Sequence, residues 1–484
     1  MWAIKRYQWV LIGIFVFYLI MSMLTPLIHD DLQWANPYGI EMLNEGFQSL
    51  NGRYLGNLLE IIAVRLPLFR YITYSVFALL IIRIIFQYIV DIKRQECERS
   101  FMYLTIFMFI LMIPTTIYSQ IYGWFAGFYN YVPATLCSLY ILRCSLKLFE
   151  GWHLTRTETF ACVTVALLGQ WFMENMTLFN VAIVSFLLIG LFYKYKHIPT
   201  RGIAIGVSTL LGAFTMFMNP NYLNIFAGRS NYQKVSDDEY GIWVKMIGTF
   251  GSQFPDKMIF QPIIILSILA IILVLFIQQS AMTKSKQWLL IAGLFSAPLY
   301  TILVRIPFDF ETKNEDVGVA ITNVIVALIY YVALNMTLMN VLPTGRLKRY
   351  CLILLWAIPV MVAPLLIVQP IGPRNFYAVY MIYVIITMAL FSRMNFRPHR
   401  AVVGLTCSMA LGLIVIFSTI FVAQTNRIQA LETALQDDHH MTAYTVERLP
   451  FESFMQHSSP YDQKKKNIFK TYWGVPEYVK LNFK

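Results

Sequence analysis

Apolar residues in this chain come in blocks of roughly twenty, set apart by short polar stretches, a spacing that predicts membrane-spanning helices. The first block covers 9–28. Others follow near 71–92, 101–119, 131–147, 159–173, 177–193, 202–218, 258–278, 288–306, 319–341, 351–369, 375–392 and 401–423. The pattern predicts an all-α polytopic membrane protein with about thirteen transmembrane helices. Basic residues gather after every second block: Lys93, Arg94 and Arg99, then Lys147 with Arg156, Lys194 with Lys196 and Arg201, Lys284 with Lys286, Arg346 with Lys348 and Arg349, and Arg393 with Arg397 and Arg400. The intervening loops carry the acids: Asp30, Asp31, Glu41, Glu45, Glu174, Asp237, Asp238, Glu239, Asp256, Asp309, Glu311, Glu315 and Asp316. One missed span breaks this alternation. By the positive-inside rule it puts the N-terminus, with Lys5 and Arg6, in the cytoplasm, and the acidic loops outside a plasma membrane. No small-residue cleavage site follows the first block, so it reads as a retained helix.

Composition agrees. Hydrophobic residues make up 58% of the 484 positions and charged residues 13%, about half the charge of a soluble domain. The net charge of +12 resides mainly in the clusters between apolar blocks, as topology signals do, and points to a lipid bilayer rather than to nucleic acid. The six cysteines have no metal-ligand spacing and several lie inside apolar blocks. The inner loops are short and carry no Walker or dinucleotide motif, so chemistry belongs on the outer side.

Three outer segments are long: 29–70, 219–257, and a tail from 425 to 484 that follows a transmembrane domain of 1–424. Within the first, Ile40, Leu43, Phe47 and Leu50 recur at helical spacing, and Tyr54, Leu55, Leu58, Leu59 and Ile62 form a second stripe. Both patterns predict interfacial helices, joined by a turn at Asn51, Gly52 and Arg53, with Pro67 as a stop. The adjacent carboxylates Asp30 and Asp31 lie beneath this shelf; the alternative reading is a helix end dipping into headgroups.

A cytoplasmic N-terminus, a first helix ending in Asp30–Asp31, interfacial helices in the first outer loop and about a dozen spans resemble the GT-C class of integral membrane glycosyltransferases. Asn51-Gly52-Arg53-Tyr54-Leu55-Gly56-Asn57, Glu447-Arg448-Leu449-Pro450 and Tyr472-Trp473-Gly474 look similar to bacterial, glucosyltransferase-like members. The resemblance covers most of the chain in architecture and a few short motifs in sequence. It implies a polyprenyl-phosphate-linked sugar donor, undecaprenyl phosphate in a bacterium, and a cell-envelope glycan or polymer as acceptor. It also implies inversion at the anomeric carbon and no required metal.

Such chemistry needs a carboxylate to take the acceptor's proton, for which Asp30 is the first choice and Asp31 the second. A lipid phosphate needs cations: Arg374, in the loop before the twelfth block, then Arg305 and Arg53, with headgroup snorkelling as the alternative reading. Glu174, Trp124, Tyr129 and Asn51 are candidates for the sugar or acceptor, with a loop acid and an interfacial aromatic belt as the alternative readings of the first three. Asp237, Asp238 and Glu239 offer a divalent-cation site or a solvated acidic turn. Lys464, Lys465 and Lys466, near Tyr472 and Trp473, suit an anionic acceptor such as a teichoic acid, or a solvated surface. A polysaccharide polymerase or ligase and a lipid-linked sugar transporter or flippase are the alternative functions.

Overall fold

The computed structural model describes residues 5–93, 98–227, 229, 234–235, 241–311, 316–394, 397–438 and 440–484. Asp237, Asp238, Glu239, Glu315 and Arg94 lie outside the described residues.

The described residues are mainly helical, with four short strands. In order the helices are α1 (Arg6–Leu24), α2 (Asp30–Ala35), α3 (Pro37–Asn44), α4 (Tyr54–Arg65), α5 (Pro67–Lys93), α6 (Arg99–Leu111), α7 (Thr115–Ile121), α8 (Phe125–Phe149), α9 (Arg156–Leu168) and α10 (Glu174–Tyr195). Then come α11 (Thr200–Phe217), α12 (Pro220–Phe226), α13 (Gly241–Ser252), α14 (Ile263–Gln278), α15 (Lys284–Tyr300), α16 (Val317–Val341), α17 (Arg346–Val362), α18 (Tyr377–Phe391), α19 (His399–Asp437) and α20 (Gln463–Trp473). Among the described residues ten helices are long and apolar enough to cross a membrane. Two bent pairs, α6 with α7 and the α13 region with α14, bring the number up to twelve. These make the chain a multi-pass membrane protein.

The expected span at 159–173 is where the count departs from thirteen. Its regular helix, α9, has only thirteen residues, about 20 Å of rise against a hydrocarbon core of about 30 Å. The segment nevertheless runs between the two ends of its neighbours. Glu158 near its start meets Lys147 at the end of α8, and Glu174 just after it meets Arg53 at the start of α4.

The basic clusters converge on one end of the bundle. Arg143 pairs with Asp91, Arg349 with Glu150 and Arg397 with Glu98, while Arg346 and Arg393 donate to the carbonyls of Asp91 and Ile92. Helix α8 reaches from that end to the other, and α18 runs through the centre with every residue from Tyr377 to Leu390 buried.

At the other end the first outer segment folds onto the bundle. Helix α4 keeps its apolar stripe away from the protein core. Gly56, Asn57, Glu60, Ile61, Ala63 and Val64 face the protein, whereas Tyr54, Leu55, Leu58, Leu59 and Ile62 stay partly exposed. Where the surroundings are lipid, the apolar stripe faces outward and small or polar residues face the neighbouring helices. The two glycines allow close approach: a Cβ on Gly56 lies 2.3 Å from Asn130 Oδ1 of α8, and one on Gly52 lies 2.2 Å from the carbonyl oxygen of Met216. Gly52→Ala is therefore expected to destabilise the fold by about 1–3 kcal/mol, measured as a fall in thermal unfolding temperature in detergent.

The tail forms a small cap. Strand β3 (Ala443–Val446) runs parallel to β4 (Lys480–Phe483), and with α20 and the end of α19 they enclose Ile428, Leu431, Val446, Phe469 and Leu481 around Leu32 of α2. An antiparallel pair, β1 (Lys234–Val235) with β2 (Val368–Gln369), ties the second outer segment to the loop before α18.

Candidate active site

A cavity of about 540 Å³ opens at the end away from the basic clusters. Its wall comes from five places: α2 (Asp30, Trp34), the turn at Asn51 and Arg53, the start of α8 (Trp124, Asn130, Tyr131), the start of α10 (Glu174, Asn175), and the 364–375 loop with Arg374. The tail closes it with Tyr461, Lys464 and Lys465.

Asp30 presents a side chain about one-third exposed to this space (32%). Nδ1 of His29 lies 3.1 Å from Oδ1, and the Lys465 ammonium donates to the same oxygen. Burial pushes the carboxyl up, but the hydrogen bonds and charges of His29 and Lys465 outweigh it and hold Asp30 well below the usual carboxylate range. It is ionised at any physiological pH. His29 sits in the left-handed region (φ 50°) at the α1–α2 corner, a strained position held by rings on three sides: Trp124, His457 and Tyr461.

Asp31 does different work. It is fully buried, does not line the cavity, and accepts the backbone N–H of Ala126 at 2.9 Å and that of Ile28 at 3.2 Å. The carboxylate thus holds the first turn of α8 against the α1–α2 corner, at a helix end where backbone N–H groups have no partner within the helix. Adjacent residues on a helix point about 100° apart, so only one of the two carboxylates can face the opening.

Beneath Asp31 lies Glu60 of α4, also fully buried, with neither oxygen receiving a hydrogen bond from a donor. Burial and then the charge of Asp31 push Glu60 well up, so it is the neutral acid and its proton is directed at Asp31. Burial likewise pushes Asp31 up to about 6, against the pull of the two N–H groups. Because both shifts are upward, the pair's contribution to stability is complete below the ordinary carboxylate range, near pH 4; the share of Asp31 is lost as pH rises through about 6, and that of Glu60 as pH rises through its own raised range. Glu60→Gln keeps a donor toward Asp31 and removes the second titrating acid. Its unfolding temperature between pH 5 and 8 is expected to fall less with rising pH than that of the wild type.

Arg53 and Glu174 form a fork: Nε lies 3.0 Å from each carboxylate oxygen and Nη2 2.9 Å from Oε2. Tyr222 donates to Glu174 at 2.9 Å and accepts the N–H of Gly52 at 3.0 Å. Asn51 Oδ1 accepts from the Arg53 N–H and from Asn57, both at 3.0 Å, while Asn219 and Asn221 donate to the carbonyls of Phe47 and Leu50. The 51–53 turn is thus fixed from all sides.

Across the cavity Arg374 is held by neutral groups, Gln120 Oε1 and the Tyr131 hydroxyl, each at 3.1 Å, with its guanidinium 5.6 Å from the Trp124 ring. Gln120 reaches it because the chain bends by 97° between α6 and α7, where Pro114 interrupts the ladder. Three buried polar atoms on cavity-lining residues, Trp124 Nε1, Asn130 Oδ1 and Asn175 Oδ1, have no hydrogen-bond partner among the described residues.

No family model matches this chain, and no curated protein or solved structure matches it. The site is therefore read from its own geometry.

Of the residues expected from sequence, Asp30, Asn51, Arg53, Trp124, Glu174 and Arg374 line one cavity. Three are elsewhere. Asp31 lies behind the wall. Tyr129 points into the bundle, bonded to Thr73 at 2.8 Å and the Arg70 carbonyl at 3.2 Å; two residues further on, α8 has turned about 200°, so Tyr131 faces the cavity instead. Arg305 is buried against Asp256, with Phe260 under its guanidinium. Glu60, Asn175 and Tyr222 carried no sequence signal beyond Glu60 being an acid inside an apolar run, whereas Tyr131 closes the aromatic 122–131 stretch that also holds Trp124 and Tyr129. Among the described residues no three His, Cys, Asp or Glu side chains are grouped to hold a metal ion.

Proposed function

We propose that the chain is a GT-C-like glycosyltransferase with thirteen passages, counting 156–173. It moves a sugar from a polyprenyl-phosphate carrier to a cell-envelope glycan or polymer on the extracytoplasmic face of the plasma membrane. The observation that carries this is the convergence, in one cavity at one end of the bundle, of an ionised carboxylate (Asp30), a guanidinium with no acidic partner among the described residues (Arg374), and aromatic faces from Trp34, Trp124, Tyr131 and Tyr461.

Each part has a task. The acceptor hydroxyl displaces the Lys465 ammonium at Asp30 and gives its proton to that carboxylate as it attacks the anomeric carbon. Attack by the acceptor itself, with one base, inverts the anomeric centre. Arg374 receives the phosphate, and Leu178, Phe217, Pro364 and Leu365 supply an apolar wall for the first units of the carrier. Trp124 Nε1 and Asn175 Oδ1 suit sugar hydroxyls, since a buried polar atom left unpaired costs about 1–3 kcal/mol. The Arg53–Glu174 fork orients the acceptor side of the pocket.

A transporter of lipid-linked sugars is the second reading, favoured by the broken pair α6/α7 beside the cavity. Purified protein incubated with short-chain polyprenyl-phosphate sugars and envelope polymers tests both. Appearance of glycosylated polymer together with free polyprenyl phosphate supports transfer. Movement of intact donor across a vesicle bilayer without bond cleavage overturns it.

A further inference from the structure

Two of the cavity's cations are neutralised: Arg53 by Glu174, and Lys465 by Asp30. Two are not. Among the described residues Arg374 has only neutral partners, and Lys464, exposed on α20, has no carboxylate within ion-pair distance. They come from opposite walls, one from the bundle and one from the tail. The tail lies within the field of Arg374: the His457 imidazole is pushed down by burial, and then by the charges of His29, Lys465 and Arg374.

The cavity at rest therefore carries two uncompensated positive charges facing one space. A phosphodiester carries one negative charge, whereas a phosphate monoester carries close to two above its second pKa of about 6. We propose that Arg374 and Lys464 form a two-point clamp for a phosphate monoester dianion. On the transfer reading, on which this rests, that dianion is the carrier phosphate left after the sugar has moved. When the acceptor oxygen bonds to the anomeric carbon, the bond between that carbon and the phosphate oxygen breaks. Its electron pair stays on the phosphate oxygen, and the acceptor's proton passes to Asp30. Charge thus grows on the phosphate as the bond breaks, and Lys464 meets the charge that the donor lacks. The tail lysine serves the leaving group, while its neighbour Lys465 guards the base.

Binding of farnesyl phosphate, its methyl diester and inorganic phosphate to the full-length chain in detergent, above the second phosphate pKa, tests the clamp. Wild type is expected to prefer the monoester to the diester. Lys464→Gln is expected to weaken the monoester by about tenfold and the diester by less than about twofold, the scale of one lost charge-assisted hydrogen bond. Arg374→Gln is expected to weaken both lipids. Lys466→Gln, on the same helix but off the cavity wall, leaves the preference intact. Unchanged preference in Lys464→Gln, or an equal loss in Lys466→Gln, overturns the clamp and leaves the transfer reading standing. If wild type binds neither lipid, or binds inorganic phosphate as tightly as farnesyl phosphate, the carrier assignment falls and the clamp with it.

Discussion

Replacing Asp30 by asparagine is expected to lower the rate of sugar transfer by about 100-fold or more, the scale of a lost general base, with the fold intact. The side chain keeps its size, so the cavity keeps its shape. The Lys465 ammonium loses a partly exposed partner, which costs less than about 1 kcal/mol. Turnover measured on a variant with the wild-type elution profile and unfolding temperature isolates the chemical effect. Because the native carboxyl is held well below the usual range by His29 and Lys465, the acid limb of the wild-type rate profile lies at low pH. It is expected to move upward in Lys465→Met, which removes one of the two stabilising partners. Full turnover in Asp30→Asn would remove the residue from the mechanism.

Replacing Asp31 by alanine is expected to act on the structure first. The change strips the acceptor from two backbone N–H groups, those of Ala126 and Ile28, at a fully buried site. Each orphaned group costs about 1–3 kcal/mol, so a loss of about 2–6 kcal/mol falls on the joint that aims α8 at the cavity. A large drop in unfolding temperature and in yield from the membrane is the expected result. Asp31→Asn, which keeps one accepting oxygen, is expected to be milder. If Asp31→Ala melts like the wild type yet transfers no sugar, Asp31 belongs to the chemistry and not to the scaffold.

Much of the architecture could be read from the order of the residues. The spacing of apolar blocks predicted the helices, and the alternating charges predicted which loops share an end, because lipid imposes both constraints locally. Asp30 and Arg374 were legible because charges at a membrane boundary stand out against an apolar background. What was hidden depends on helix phase and on distant partners. Asp30 and Asp31 are neighbours in sequence but differ in direction, as do Tyr129 and Tyr131. The stripe on α4 was read as facing a membrane surface, and it gave no hint that the other face carries Glu60 to within reach of Asp31. Arg305 looked available until Asp256, 49 residues upstream, was seen to occupy it. No local pattern pairs Lys465 with Asp30, separated by 435 positions.

That last separation bears on how the protein is made. The carboxylate precedes by 435 residues the lysine that covers it, so the helices between them are made before the cap that supplies Lys465. Until the cap docks, Asp30 lacks the Lys465 ammonium that shares its Oδ1 with His29. The charge pattern of the cavity is therefore completed by a docking event, from a cap with its own small core around Leu32. The charge arrangement at Asp30 thus depends on the docking of α20, β3 and β4 after the intervening helices have been made.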